Sequence, residues 1–121
     1  MDIAIGYVIV GVKSLDKAVA FYRDTMGFEL LFAEPAFHFA SFKVGDVKFN
    51  LAEGSEDVHG SGDRNTGIGF HVTDVDAAHA ELAGKGVLFT MPPGKMPWGG
   101  YMAMFADSDG NVFYLDQASA Y

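Results

Sequence analysis

Hydrophobic and polar residues alternate over most of the chain and change to a helical spacing in two places. The run from Ile3 to Val12 is rich in β-branched residues and reads as a strand. Behind it, Leu15, Ala18, Val19, Tyr22 and Met26 fall on one face of a helix. Ser14 is suited to cap that helix, Asp16 stands in its first turn, and Gly27 lies where a left-handed C-cap belongs. The same succession returns later, with Asp74 as the cap, Val75, Ala78, His79 and Leu82 as the face, and Gly84 or Gly86 as the end. Strands are expected at 3–12, 28–34, 36–44, 47–53, 67–72, 86–91, 101–106 and 111–117. Val44-Gly45-Asp46-Val47 and Asp107-Ser108-Asp109-Gly110-Asn111 read as tight hairpin connections. The predicted order is β-α-β-β-β, twice.

The two halves also share sequence. Val12-Lys13-Ser14-Leu15-Asp16-Lys17-Ala18 recurs as Val72-Thr73-Asp74-Val75-Asp76-Ala77-Ala78, and Ala20 meets Ala80 at the same offset. Gly54 to Thr66, with its glycines, serines and acids, reads as a solvated linker. A second irregular stretch, Met91 to Gly100, holds Pro92, Pro93, Pro97 and the single tryptophan, Trp98. An aromatic in such a stiff loop is either part of a binding wall or a plug at the end of a sheet.

Composition narrows the function. The chain has 121 residues, half of them hydrophobic, which predicts one globular domain. It has no cysteine, so disulfides, zinc–thiolate sites and thiol nucleophiles are excluded. Eight basic against 16 acidic residues leave a net charge of −8, and a nucleic-acid partner has no basic patch to bind. The apolar start carries Asp2 in place of a basic flank and is too short to span a bilayer. The expectation is a soluble, cytoplasmic protein with no membrane partner.

The motif Val12-x-Ser14-Leu15-Asp16-x-Ala18-Val19-x-Phe21-Tyr22-Arg23-Asp24-x-Met26-Gly27-Phe28 resembles the opening module of the vicinal oxygen chelate superfamily. That group includes glyoxalase I, the bleomycin-resistance proteins and the extradiol dioxygenases. Asp107-Ser108-Asp109-Gly110-Asn111 resembles its closing hairpin, with Ser108 in place of proline. The resemblance implies an α+β fold of two βαβββ modules, here 1–53 and 67–121 joined by 54–66, forming a curled, mixed, mainly antiparallel sheet around a cavity. It also implies a homodimer.

Enzymes of the superfamily hold a divalent metal on four strand positions. The resemblance places these at Tyr7, Asn50, Gly67 and Tyr114. Histidine, glutamate or glutamine belongs at such sites; phenols and an amide are poor donors, and glycine offers none. No metal and no cofactor are therefore expected. Of the four histidines, His59 falls in the acidic linker and His79 on the apolar helix face. His38, read as a strand residue, and His71 are the candidates for a cavity, and with Asp116 they could form a rearranged metal site.

Counting by twos from the positions that the resemblance implies places Tyr7, Ile9 and Gly11 on one wall, followed by Lys48, Asn50 and Ala52, then Gly67, Gly69 and His71, then Val112, Tyr114 and Asp116. The glycines at 11, 67 and 69 either open room for a ligand or mark bulges and sheet curvature. The run Trp98-Gly99-Gly100-Tyr101-Met102-Ala103 resembles the segment before the closing hairpin in the bleomycin-resistance branch, whose members sequester a cationic drug. The expected function is metal-free binding of a cationic or aromatic small molecule such as an antibiotic, through Tyr7, His38, Asn50, His71, Trp98, Tyr114 and Asp116. The alternative is a lyase, isomerase or dioxygenase-like enzyme with a displaced or absent metal, with His71 and Asp116 as its acid–base pair.

Overall fold

The structure, a computed structural model, describes residues 1–54 and 64–117. The chain divides into two compact units, Met1–Asp63 and Arg64–Tyr121. In the first, β1 (Tyr7–Val12) leads to α1 (Leu15–Ala20), a π-helical turn (Phe21–Thr25), β2 (Glu29–Glu34), a 3-10 turn (Pro35–Phe37), β3 (Phe39–Val44) and β4 (Val47–Glu53). The second runs β5 (Asn65–Val72), α2 (Val75–Gly84), β6 (Leu88–Lys95), β7 (Tyr101–Ala106) and β8 (Val112–Gln117). Each unit is a four-stranded sheet with the order first, last, third, second: β1-β4-β3-β2 and β5-β8-β7-β6. The outer first–last pair is parallel and the other two pairs are antiparallel. The α+β class and the doubled βαβββ order expected from the pattern are the observed ones. Among the described residues, no helix is long and apolar enough to cross a membrane.

Each sheet buries one face under its own helix. In the first unit Leu15, Ala18, Val19 and Tyr22 are buried on the helix side, as the periodicity requires. The Tyr22 ring lies 4.9 Å from Phe49 and 5.8 Å from Phe28, between centroids. In the second unit Phe70, Phe89, Phe105 and Phe113 form the matching cluster. His79 meets the Phe89 ring edge-on at 4.5 Å, so it packs as a half-buried core residue. Burying each such aromatic contributes roughly 1.5–3 kcal/mol.

The two helices start in the same way. The Ser14 hydroxyl accepts the Lys17 N–H at 3.4 Å, and the Asp74 carboxylate accepts the Ala77 N–H at 3.0 Å. In both, the last residue of the closing strand reaches the first helical amide. Glu53 Oε2 accepts from Leu15 N at 2.7 Å, and Gln117 Oε1 accepts from Val75 N at 2.9 Å. This clasp ties strand end to helix start and satisfies amides that a helix leaves open.

Three expectations are corrected. β1 begins at Tyr7, not at residue 3. His38 is not a strand residue; it ends the 3-10 turn with φ 57°, a left-handed conformation that bends the chain into β3. The irregular stretch from Met91 is in part strand, because β6 continues through Pro92 and Pro93 to Lys95. β6 is the outer strand of its sheet, where proline's missing N–H costs no ladder bond, and its pairing with β7 shifts register around the prolines.

Candidate functional site

The face of each sheet turned away from its helix carries most of the residues singled out from the sequence. In the first unit the register sets Tyr7 beside Lys48 and Lys48 beside Lys43. The next row is Ile9, Asn50, Ser41 and Phe32, and a third joins Gly11, Ala52 and Phe39. The Phe32 and Phe39 rings stand 6.2 Å apart, which confirms that they share this face. Ser41 and Asn50 are cross-strand neighbours, only 2% and 7% exposed. Ser41 Oγ and Asn50 Oδ1 are both without a hydrogen-bond partner. Leaving a buried polar group unpaired costs about 1–3 kcal/mol, so an adjacent pair is unusual in a packed sheet.

The second unit repeats the arrangement with other side chains. Gly69, Tyr114, Met104 and Met91 form one row, and His71, Asp116, Met102 and Gly94 the next. Asn65 Nδ2 donates to the Tyr114 hydroxyl at 3.0 Å, and Asn65 Oδ1 accepts the Gly67 N–H at 2.9 Å. His71 Nε2 lies 3.1 Å from Asp116 Oδ2; the carboxylate is buried and the imidazole is exposed. Gly67 has φ +72° inside a register shift between Asn65 and Gly69, so it marks a bulge. Gly69 is different. A Cβ there would meet Tyr114 Cβ at an ordinary 3.7 Å, so this glycine leaves space rather than answering a clash.

The predicted site residues therefore separate. Tyr7 and Asn50 share the open face of the first sheet; His71, Tyr114 and Asp116 share that of the second. His38 joins neither. Its Nδ1 lies 2.7 Å from Glu53 Oε1, and the other oxygen of that carboxylate holds the start of α1. These two contacts, the Leu15 amide first, hold the Glu53 carboxyl below the usual carboxylate range. Trp98 stands at the tip of the hairpin between β6 and β7, 65% exposed, in a turn closed by Gly99 N–H to Met96 O at 2.9 Å. His59 lies outside the described residues.

The donor set does not suit a divalent metal. Gly67 has no side chain, the Tyr114 hydroxyl already accepts from Asn65, and Asn50 offers an amide oxygen beside a lysine-bearing row. Among the described residues no group of three or more His, Asp or Glu side chains could hold an ion. Phe32, Phe39, Ser41 and Lys43 were missed by the sequence reading. For Phe39, Ser41 and Lys43 the signal was the alternation of β3, readable only once that strand's register against β4 was known, and Phe32 on β2 follows from its pairing with Ser41.

Comparison with known proteins agrees with this architecture. Residues 4–115 match the Glyoxalase/Bleomycin resistance protein/Dioxygenase superfamily. A crystal structure of a member of that superfamily from Sphaerobacter thermophilus DSM 20745 is 34% identical, with TM-score 0.81 over 95% of this chain and 97% of the other. The crystal structure of TnmS3, an antibiotic binding protein from Streptomyces sp. CB03234, is also 34% identical, with TM-score 0.80 over 96% and 97%. The uncharacterized protein YetH of Bacillus subtilis (strain 168) is 29% identical over 93% of this chain and 97% of its own. With its doubled βαβββ units and this match along nearly the whole chain, the protein belongs to the glyoxalase/bleomycin resistance protein/dioxygenase superfamily.

Proposed function

We propose that this chain is a metal-independent binding protein that sequesters an aromatic small molecule, an antibiotic being the most concrete case. The observation that carries the reading is what stands at the four positions where the superfamily's enzymes bind metal: a phenol, an amide, a glycine and a phenol already hydrogen-bonded to Asn65. The likeness to an antibiotic binding protein at 34% identity supports it. Of the two ligand characters suggested by the sequence, the aromatic one is supported by Tyr7 and Tyr114 on the two faces and by the exposed ring of Trp98 at the hairpin tip. Mainly apolar surfaces with a few placed polar groups are the usual setting for such ligands. The working unit is a homodimer, since β1 and β2 end one sheet and β5 and β6 the other, and Ile3, Ile5, Tyr7 and Ile9 are exposed.

One preparation tests all of this. After loading with nickel, zinc or iron and dialysis, elemental analysis should find far less than one ion per chain. Light scattering should give twice the chain mass. Planar aromatic antibiotics should change Trp98 fluorescence. A tightly held stoichiometric ion, or no response to any aromatic ligand, refutes the reading.

A second reading, acid–base catalysis, is favoured by one contact, His71 Nε2 to Asp116 Oδ2 at 3.1 Å. A buried carboxylate orienting an exposed imidazole is the arrangement of a general base. It requires lyase, isomerase or ring-cleaving turnover that His71→Ala abolishes; blank assays with the unaltered protein remove it.

A further inference from the structure

The open face of the first sheet sets two of the chain's few basic residues side by side. Only eight residues of this −8 chain are basic, yet Lys43 and Lys48 are directly opposed on β3 and β4. Like charges so placed repel, and a sheet gains nothing from the pair by itself. Among the described residues neither lysine has an ion-pair partner: Glu29, across from Lys43 on β2, makes none with it, and neither does Asp46 in the adjoining turn. Both lysines line an open hollow of about 360 Å³, together with Leu31, Val47 and the acid Asp46. One strand repeat further on stand the unpartnered Ser41 Oγ and Asn50 Oδ1. Residues two apart on a strand are separated by roughly 6.8 Å, about the length of a two-ring aromatic. Phe32 and Phe39 flank the pair on the same face.

We propose that this face takes a flat aromatic acid. The ring lies against Phe32 and Phe39, and the carboxylate or phenolate is held by Lys43 and Lys48. A hydroxyl or amide N–H at the far end of the ligand donates to Asn50 Oδ1, with Ser41 completing the contact. This deepens the small-molecule reading above and rests on it. The net negative charge works against an anion at long range, but at contact the two ammonium groups decide, because charge interactions are strongest at short distance and are screened over about 8 Å at physiological salt. Asn50 supplies the complementary preference, since its orphan oxygen accepts only from a donor.

Calorimetric titration with four naphthyl probes tests the assignment: 6-hydroxy-2-naphthoate, its methyl ester, 2-naphthoate and 2-naphthylmethylammonium. The hydroxy acid should bind at least tenfold tighter than its ester and than the ammonium compound. Lys43→Met with Lys48→Met should erase the advantage of acid over ester. Ser41→Ala and Asn50→Leu should erase the advantage of the hydroxy acid over 2-naphthoate. If Asn50→Leu fails to fold, Ser41→Ala and the lysine variants decide alone. If the ammonium compound binds tighter than the acid, or the lysine variants bind the acid as before, the proposal falls while the aromatic-binding reading stands. If no naphthyl probe binds, both fall.

Discussion

Asn111 has no exposed surface, and its side chain is held from both ends. Its Nδ2 donates to Asp107 Oδ2 at 2.9 Å and its Oδ1 accepts from Arg64 Nη2 at 2.6 Å. Asp107 Oδ1 in turn accepts the Asp109 and Asn111 amides, at 2.9 and 2.8 Å. The closing hairpin is thus a small polar core, which is why acid and amide side chains stand there in place of apolar ones. Asn111→Ala should cost about 2–3 kcal/mol, because it strips a partner from a buried carboxylate and from a guanidinium; urea denaturation measures this, and a loss under about 0.5 kcal/mol would remove the hairpin from the stability argument. The turn was legible in the sequence because Asp, Gly and Asn act locally. Ser41 and Asn50 were not legible as a pair. Each looks ordinary in its own strand, and only the register brings their oxygens together. His38 misled for a related reason: a non-glycine residue rarely takes a positive φ, and here Glu53, fifteen residues on, helps to hold it.

Elements were read well where one period ran without interruption. Both helices start where their caps stand; of the two glycines expected to end α2, Gly84 is its last residue and Gly86 takes the left-handed turn behind it, with φ +90° and a Val87 N–H to Leu82 O bond of 3.0 Å. The first helix departs from the pattern after Ala20, where a π-helical turn closes with Met26 N–H to Phe21 O at 3.0 Å. The additional residue in that turn leaves Met26 only half-buried, off the stripe the spacing predicted. The hairpin of β6 and β7 was read short because proline normally stops a strand, and an edge position removes that objection. Its tip carries Trp98 in the open, while the first residue after the turn is tied to α2 by the Tyr101 hydroxyl donating to Asp76 at 2.6 Å. Trp98→Ala should therefore change stability by about 0.5 kcal/mol or less, the range of surface substitutions. A plug would lose about 3–5 kcal/mol on the same change. Thermal melting of the variant distinguishes them.

The doubling of the chain was visible in the sequence because the caps and the first helical turns repeat. What differs between the copies lies mostly on the faces turned from the helices, where Asn50 answers to Tyr114 and Lys48 to Val112. Those differences carry the proposed chemistry, and no periodicity announces them. The clasp differs too: its acceptor is a carboxylate in one unit, Glu53, and an amide in the other, Gln117. Only the first can be switched off by a proton. Because the folded Glu53 carboxyl titrates below its ordinary 4.5, its contribution is complete above that value and disappears as pH falls through the depressed one. The clasp of the first unit should then be lost to acid while that of the second is kept. In amide hydrogen exchange followed from pH 6 down to about pH 3, and corrected for intrinsic rates, protection across residues 15–25 should fall before that across 75–84, and Glu53→Gln should abolish the difference. A chain built by repetition would in this way carry one clasp that acid can undo and one that it cannot, the difference written in a single atom, oxygen in Glu53 and nitrogen in Gln117.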